Sequence, residues 1–155
     1  VSIVEDETQV EPAIQKALEH DSEVLIESFL DGTEFTCGCT NFMGGIQALP
    51  VTEIVYQGKF FDYEAKYKGQ SQEITPARFD AETTAEIQAL TQKIYSILNL
   101  KGIARVDYKM HEGRPHVIEI NTVPGLSKES LIPQQAREAG YDLGAFFEAS
   151  LAKLF

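Results

Sequence analysis

The period of the hydrophobic positions changes along the chain, and the changes mark its elements. From Glu11 to Glu19, Pro12 stands early and Ile14, Ala17 and Leu18 share one face, which predicts a helix. Val24 to Phe29 is a short, mostly apolar run that predicts a strand, followed by the turn signal Asp31-Gly32. Glu34 to Asn41 predicts a second strand and Gly44-Gly45 a turn. Leu49 to Tyr56 predicts another strand, with Pro50 at its entry or on an edge. Gln57-Gly58 turns the chain again. Asp62 to Tyr67 reads as strand or loop, and the polar stretch Lys68 to Asp80 as an ordered loop. The clearest helix runs from Ala81 to Leu98. Ile87, Leu90, Ile94 and Leu98 recur at helical spacing there, Ile97 widens the stripe, and Asn99 can end it. Gly102 to Met110 predicts a strand, His111-Glu112-Gly113-Arg114 a turn, and Pro115 to Ile120 the returning strand. Gln134 to Ala139 and Leu143 to Leu154 close the chain as helices. A β-rich meander, a helix, a hairpin and further helices predict an α+β fold with a mostly antiparallel sheet and flanking helices, not an alternating βαβ layout.

Composition puts this pattern in a globular chain. Its 155 residues suffice for a core, and 43% hydrophobic residues is ordinary for a soluble domain. No apolar run has the length of a bilayer span, so a membrane is not an expected partner. The start, Val1-Ser2-Ile3-Val4-Glu5-Asp6-Glu7, lacks the basic segment and apolar core of a secretory signal, and reads as a cut through a longer protein. The net charge of −11 would repel phosphate backbones, which argues against nucleic acid. It leaves room for a nucleotide held by one lysine, backbone N–H groups and divalent cations. Cys37 and Cys39 lie two apart, on one strand face, and read as buried small side chains; no further His or Cys ligand is near them. Without a larger cysteine framework, a reducing, cytoplasmic location is expected.

The chemistry concentrates on the hairpin around His111-Glu112-Gly113-Arg114. Arg105 and Asp107 share one face of the first strand, and Glu119 and Asn121 one face of the second. If the registers match, all four converge on one patch, with Ile103, Val106, Val117 or Ile118, and Ile120 on the opposite side. Two carboxylates and an amide oxygen suit Mg²⁺, which takes hard oxygen ligands and is usually held by one or two carboxylates plus substrate phosphates. Glu119 would bridge two metals, Asp107 serving one and Asn121 the other. Arg105 would stabilise negative charge on a transferring phosphoryl or tetrahedral centre. A solvated polar strand face with cross-strand ion pairs fits the same spacing. Downstream, Thr122-Val123-Pro124-Gly125-Leu126 is a turn leading to Ser127 and Ser130 near a helix start. Hydroxyls and N–H groups there suit a substrate carboxylate, or simple capping.

Two other segments carry weaker signals. Glu27 to Leu30 has a backbone edge that can pair with adenine, with Phe29 or Leu30 flanking the ring and Glu34 accepting from ribose hydroxyls; an ordinary apolar strand reads the same way. The aromatic run Phe60-Phe61-Asp62-Tyr63-Glu64-Ala65-Lys66-Tyr67 carries one lysine that suits β/γ-phosphates, and reads as a lid or packed loop.

In this order, Ile26-Glu27-Ser28-Phe29-Leu30, Gly32-Thr33-Glu34-Phe35, Tyr63-Glu64-Ala65-Lys66-Tyr67, Ala104-Arg105-Val106-Asp107, Ile118 to Leu126 and Ser130-Leu131-Ile132-Pro133 resemble the C-terminal half of the D-alanine–D-alanine ligase family of ATP-grasp enzymes. The likeness covers nearly all of residues 1–155. It implies an ATP-grasp C-terminal portion, with the N-terminal lobe and the Gly/Ser-rich phosphate loop lying outside it. It also implies that Glu27, Phe29, Leu30 and Glu34 line an adenosine site and that Lys66 contacts the phosphates of ATP. Tyr67 would sit on the closing loop, and Asp107, Glu119 and Asn121 would hold two Mg²⁺, or Mn²⁺. Arg105 would steady the tetrahedral centre, and Ser130 and Leu131 would place the second D-alanine. The implied chemistry is phosphorylation of one D-alanine carboxylate and attack by the amine of a second, making a peptidoglycan precursor. Related D-alanine–D-lactate ligases carry His where Tyr67 stands, so Tyr67 points to an amine acceptor. Phe61 stands where many members have Tyr, and Phe29 where Trp is common. The family commonly dimerises through the N-terminal lobe. The isolated 155-residue chain is expected to be inactive. Another ATP-grasp ligase or carboxylase, and a non-catalytic binding domain, are the competing readings.

Overall fold

The structure is a computed structural model that describes residues 1–42, 44–56 and 71–152. It divides into two units, Val1–Leu30 and Asp31–Phe155. In the first, a 3₁₀ turn at Glu7–Gln9 opens with Asp6, whose carboxylate accepts from the Thr8 N–H at 2.8 Å. Helix α1, Val10–Leu18, follows, with Pro12 in its first turn, where no backbone donor is needed. The strand expected at Val24 to Phe29 does not form. Leu25, Ile26 and Phe29 of this stretch are exposed, without the half-buried face that a sheet strand presents.

The second unit is built on one antiparallel sheet. Its strands are β1 (Glu34–Thr40), β2 (Gln47–Tyr56), β3 (Ser71–Ile74), β4 (Ile103–His111) and β5 (Arg114–Asn121), in the spatial order β3-β2-β1-β4-β5. Its helices are α2 (Ala81–Ile97), α3 (Leu131–Glu138) and α4 (Leu143–Ala152). The α+β layout agrees with the hydrophobic pattern. The short β3 falls inside the polar stretch read as loop, because Ser71-Gln72-Glu73-Ile74 has a single apolar residue and no alternation to announce a strand. The turn between β4 and β5 has φ of 50° at Glu112 and 74° at Gly113, the left-handed pair that a two-residue hairpin requires.

Alternation along β1 assigns the two faces. Phe35 and Cys37 pack with Val51, Val106, Tyr108 and Ile87 of α2, while Cys39 packs with Ala104 and Tyr95. Burial pushes the Cys37 thiol up to about 12 and the Cys39 thiol up to about 11, so both stay protonated. The buried line of α2 is Ile87, Thr91 and Tyr95; of the expected stripe, Ile87 is buried and Leu90 and Ile94 pack against the same core, while Ile97 and Leu98 are exposed. Hydroxyls can occupy that line because each finds a partner. Thr91 and Tyr108 share a 2.7 Å hydrogen bond, and Tyr95 donates to the Gly102 carbonyl at 2.8 Å. Asn99, with φ of 50°, ends the helix as expected.

Helices α3 and α4 cover part of the other face through Phe42, Leu49, Ile103, Ile132, Ala136 and Phe146. Ile103 therefore faces the same way as Arg105, as the two-residue period demands, and not with Val106. Pro50 sits inside β2, where the register slips between Cys37 and Cys39 of β1 and before the stretch of β2 that pairs with β3. A bulge there tolerates the missing N–H. Helix α3 begins at Leu131, earlier than Gln134, since Pro133 lies within the first turn.

Gln135 of α3 repairs the ladder at that bulge. Its side-chain oxygen accepts from the Gly38 N–H at 2.9 Å, and its amide nitrogen donates to the Thr36 carbonyl at 3.2 Å and the Thr52 hydroxyl at 3.0 Å. Gly38 leaves the room: a Cβ there would stand 2.6 Å from Gln135 Oε1 and from Ile132 Cδ1. Gly38→Ala is expected to destabilise the fold by about 2 kcal/mol through this overpacking, more if Gln135 is displaced and Gly38 N–H loses its acceptor. Urea unfolding of the variant against the wild type checks it.

Candidate functional site

Strands β4 and β5 bring the four expected residues together. Asn121 stands opposite Arg105 and Glu119 opposite Asp107. The register holds through this stretch and slips only beyond it, between Asp107 and Tyr108, where β5 has one residue more than β4. The patch therefore sits just before a bulge, a common device for aiming side chains. It lies on the sheet face that α3 and α4 partly cover.

Asp107 is the most constrained member. Arg105 Nε donates to its Oδ1 at 2.7 Å and Arg105 Nη2 to its Oδ2 at 2.7 Å, a two-pronged ion pair. The Thr36 hydroxyl donates to Oδ1 at 2.6 Å from β1, where Thr36 faces Asp107 across the ladder. Both charged side chains are mostly buried, 17% exposed for Arg105 and 16% for Asp107. Burial works to raise the Asp107 pKa, but the Arg105 and Thr36 hydrogen bonds outweigh it and hold the carboxyl below the ordinary aspartate value. The same pairing raises the Arg105 pKa against the opposing effect of burial, and the charges of Glu119 and Glu73 add to it.

The folded chain thus binds this proton less readily than the unfolded one. The stability Asp107 contributes is complete above the unfolded aspartate pKa of about 3.9 and is lost as the pH falls through the lower folded value. The thermal midpoint should fall across that acid window in the wild type, with a shallower fall in Asp107→Asn. Parallel pH profiles would contradict the assignment.

The acceptor-side residues lie at the start of α3. Ser130 has the extended backbone of a cap, yet its hydroxyl makes no capping bond; it pairs with the Ser127 hydroxyl at 2.7 Å. Gly125 passes close by, since a Cβ on it would come within 2.9 Å of Ser130 Oγ. Leu131 is the half-buried first residue of the helix. Of the nucleotide-side residues, Glu27, Phe29 and Leu30 belong to the first unit and Glu34 to the second, in β1, opposite Lys109 and Ile54. Lys66 and Tyr67 lie outside the described residues.

As a metal centre, the patch offers only oxygen: an ionised carboxylate, a second carboxylate opposite it, and an amide. That donor set fits Mg²⁺ or Mn²⁺, with phosphate and water completing the shell. Among the described residues no group of three or more His, Cys, Asp and Glu could hold a metal alone. Among the same residues, no helix is long and apolar enough to cross a membrane. Sequence reasoning missed Thr36 and Gln135. The alternation of Phe35, Cys37 and Cys39 with Glu34, Thr36, Gly38 and Thr40 placed Thr36 on the polar face; nothing in the sequence paired Gln135 with Gly38.

Comparison with known proteins finds relatives over nearly the whole chain. The family described as D-ala D-ala ligase C-terminus matches residues 1–151. The D-alanine–D-alanine ligase of Christiangramia forsetii is 48% identical over 151 residues, which cover 97% of this chain and 46% of that one. The structure of D-alanine–D-alanine ligase from Bacillus anthracis complexed with ATP superposes with a TM-score of 0.79 at 31% identity, covering 97% of this chain and 50% of that one. The VanG D-Ala:D-Ser ligase from Enterococcus faecalis gives 0.80 at 30% identity, covering 95% and 43%. The chain spans about half the length of the curated relatives it matches. With its antiparallel sheet, its β4–β5 carboxylates and a family match over nearly every residue, this chain belongs to the D-alanine–D-alanine ligase family, matching its C-terminal portion.

Proposed function

We propose that this chain is the metal- and nucleotide-handling C-terminal ATP-grasp portion of a cytoplasmic D-alanine–D-alanine ligase, and that the full-length parent joins two D-alanines at the cost of ATP. The observation that carries this reading is the alignment of Arg105, Asp107, Glu119 and Asn121 across β4 and β5. The 155-residue chain alone is expected to be inactive, because it spans about half the length of the ligases it matches.

In this reading Asp107, Glu119 and Asn121 would hold two Mg²⁺, which would supply charge neutralisation at the phosphate oxygens. Asp107 is kept ionised for that role by Arg105 and Thr36. An oxygen of the first D-alanine carboxylate attacks the γ-phosphorus of ATP, and ADP leaves. The neutral amine of the second D-alanine then attacks the acyl carbon and forms the C–N bond, the acyl C–O bond breaks, the nitrogen gives its proton to the leaving phosphate or solvent, and phosphate leaves with one former carboxylate oxygen. Arg105 spends two of its five N–H donors on Asp107, which leaves three for the oxyanion that forms at the acyl carbon. By the family resemblance, Ser130 and Leu131 would position the acceptor, Glu27, Phe29, Leu30 and Glu34 would serve the adenosine, and Lys66 and Tyr67 would serve the phosphates. The parent acts as a homodimer through its N-terminal lobe.

The test is isotopic. With D-alanine labelled with ¹⁸O in its carboxylate, the parent should release phosphate carrying one labelled oxygen, dependent on ATP and Mg²⁺. Unlabelled phosphate, or none, would refute an acyl phosphate. The likeness to a D-Ala:D-Ser ligase makes D-serine the alternative acceptor, and competition between D-alanine and D-serine decides it.

A further inference from the structure

We propose that Thr36 is a positioning residue that fixes the Asp107 carboxylate and reserves its Oδ2 for a divalent cation. The inference rests on the reading of Asp107 as a metal ligand.

Three observations meet at Thr36. It stands directly opposite Asp107 in the β1–β4 ladder and is 2% exposed, so its hydroxyl has little access to water. That hydroxyl lies 2.6 Å from Asp107 Oδ1 and 3.2 Å from the Val106 carbonyl. A hydroxyl has one proton, and the shorter contact to a charged acceptor takes it. The backbone is pinned as well: the Thr36 carbonyl accepts from Gln135, which also holds Gly38 and Thr52. A β-branched side chain on a pinned strand has little rotamer freedom, so the donor is preset.

The consequence is an asymmetric carboxylate. Among the hydrogen bonds of the described residues, Oδ1 accepts from both Thr36 and Arg105 Nε and Oδ2 from Arg105 Nη2, with the Glu119 carboxylate close to the same group. Each carboxylate oxygen has two lone-pair positions, so Oδ1 is filled and Oδ2 keeps one open. Without the Thr36 donor only the Arg105 fork would hold the carboxylate, and both oxygens would keep an open position. Hydrogen-bond partners of metal ligands commonly carry a tenfold or larger share of metal affinity.

The experiment measures Mn²⁺ binding to the full-length parent with a non-hydrolysable ATP analogue, by the loss of the free-ion electron paramagnetic resonance signal. It compares wild type, Thr36→Ser, Thr36→Val and Asp107→Asn, with thermal midpoints recorded for each. Thr36→Val should weaken Mn²⁺ by about tenfold and raise the KM for Mg²⁺ more than it lowers kcat, while Thr36→Ser stays within about twofold of wild type. A folded Thr36→Val with wild-type Mn²⁺ affinity overturns the inference, as does an equal loss in Thr36→Ser. Should Thr36→Val not fold, Thr36→Cys, a weak donor of similar size, takes its place under the same criteria. Loss of affinity in Asp107→Asn but not in Thr36→Val rejects the role of Thr36 alone. Unchanged affinity in Asp107→Asn rejects the metal reading and this inference with it.

Discussion

Glu119→Gln in the full-length parent should lower kcat/KM for D-alanyl-D-alanine formation by roughly a thousandfold while leaving the unfolding midpoint close to wild type. Glutamine keeps the shape and hydrogen-bonding reach of the side chain and removes only its charge. Glu119 is exposed on β5, so folding does not depend on that charge. Catalysis does depend on it if Glu119 bridges two cations. Charge stabilisation of a transferring phosphoryl group by bound metal amounts to several kcal/mol, and about 1.4 kcal/mol corresponds to tenfold in rate. Losing about 4 kcal/mol of it gives the expected factor. Steady-state kinetics with coupled phosphate detection, alongside thermal unfolding, separates the two effects. A variant with near-wild-type turnover would return the patch to an ordinary polar strand face.

Arg105→Met should fail in both respects. The ion pair with Asp107 is two-pronged and mostly buried, and its removal leaves a carboxylate largely out of water without its cation. Breaking such a pair from one side costs about 3–5 kcal/mol. In the proposed reading a donor to the developing oxyanion is lost as well, so turnover should fall by about 10²-fold or more. Arg105→Lys sharpens the comparison. A lysine keeps the charge but cannot span both carboxylate oxygens, so it should recover part of the stability and little of the turnover. Full recovery of turnover by lysine would show that charge alone, and not the guanidinium fork, is what the site uses.

Much of this was legible in the sequence because the sheet enforces a period of two. Arg105 with Asp107, and Glu119 with Asn121, had to share faces, but the Glu112-Gly113 turn alone would set Asp107 opposite Ile118; the extra residue of β5 at the bulge brings Glu119 opposite Asp107, and nothing in the sequence announced it. The misreadings share a physical cause. Ile103 was placed on the wrong side where the apolar label was followed in preference to the period. On α2, Thr91 and Tyr95 were passed over for Ile97 and Leu98, because a stripe counted by hydropathy misses hydroxyls that are buried with a partner. Residues 24–29 look like a strand by composition, but pairing is a property of two segments and cannot be read from one. Gln135 was invisible for a similar reason. Its partners lie at a bulge in β1 and β2, and only the folded sheet brings Gly38 and Thr36 beneath the helix. The roles of Lys66 and Tyr67 rest on the sequence resemblance alone, since they fall outside the described residues.

The most direct test of the central claim is a count of bound Mn²⁺ on the full-length parent with a non-hydrolysable ATP analogue, for wild type, Asp107→Asn and Glu119→Gln. Two ions per chain in the wild type, and weakened binding in both variants, is the predicted result. Equal binding curves for all three proteins would contradict the assignment of β4 and β5 as the metal-holding strands.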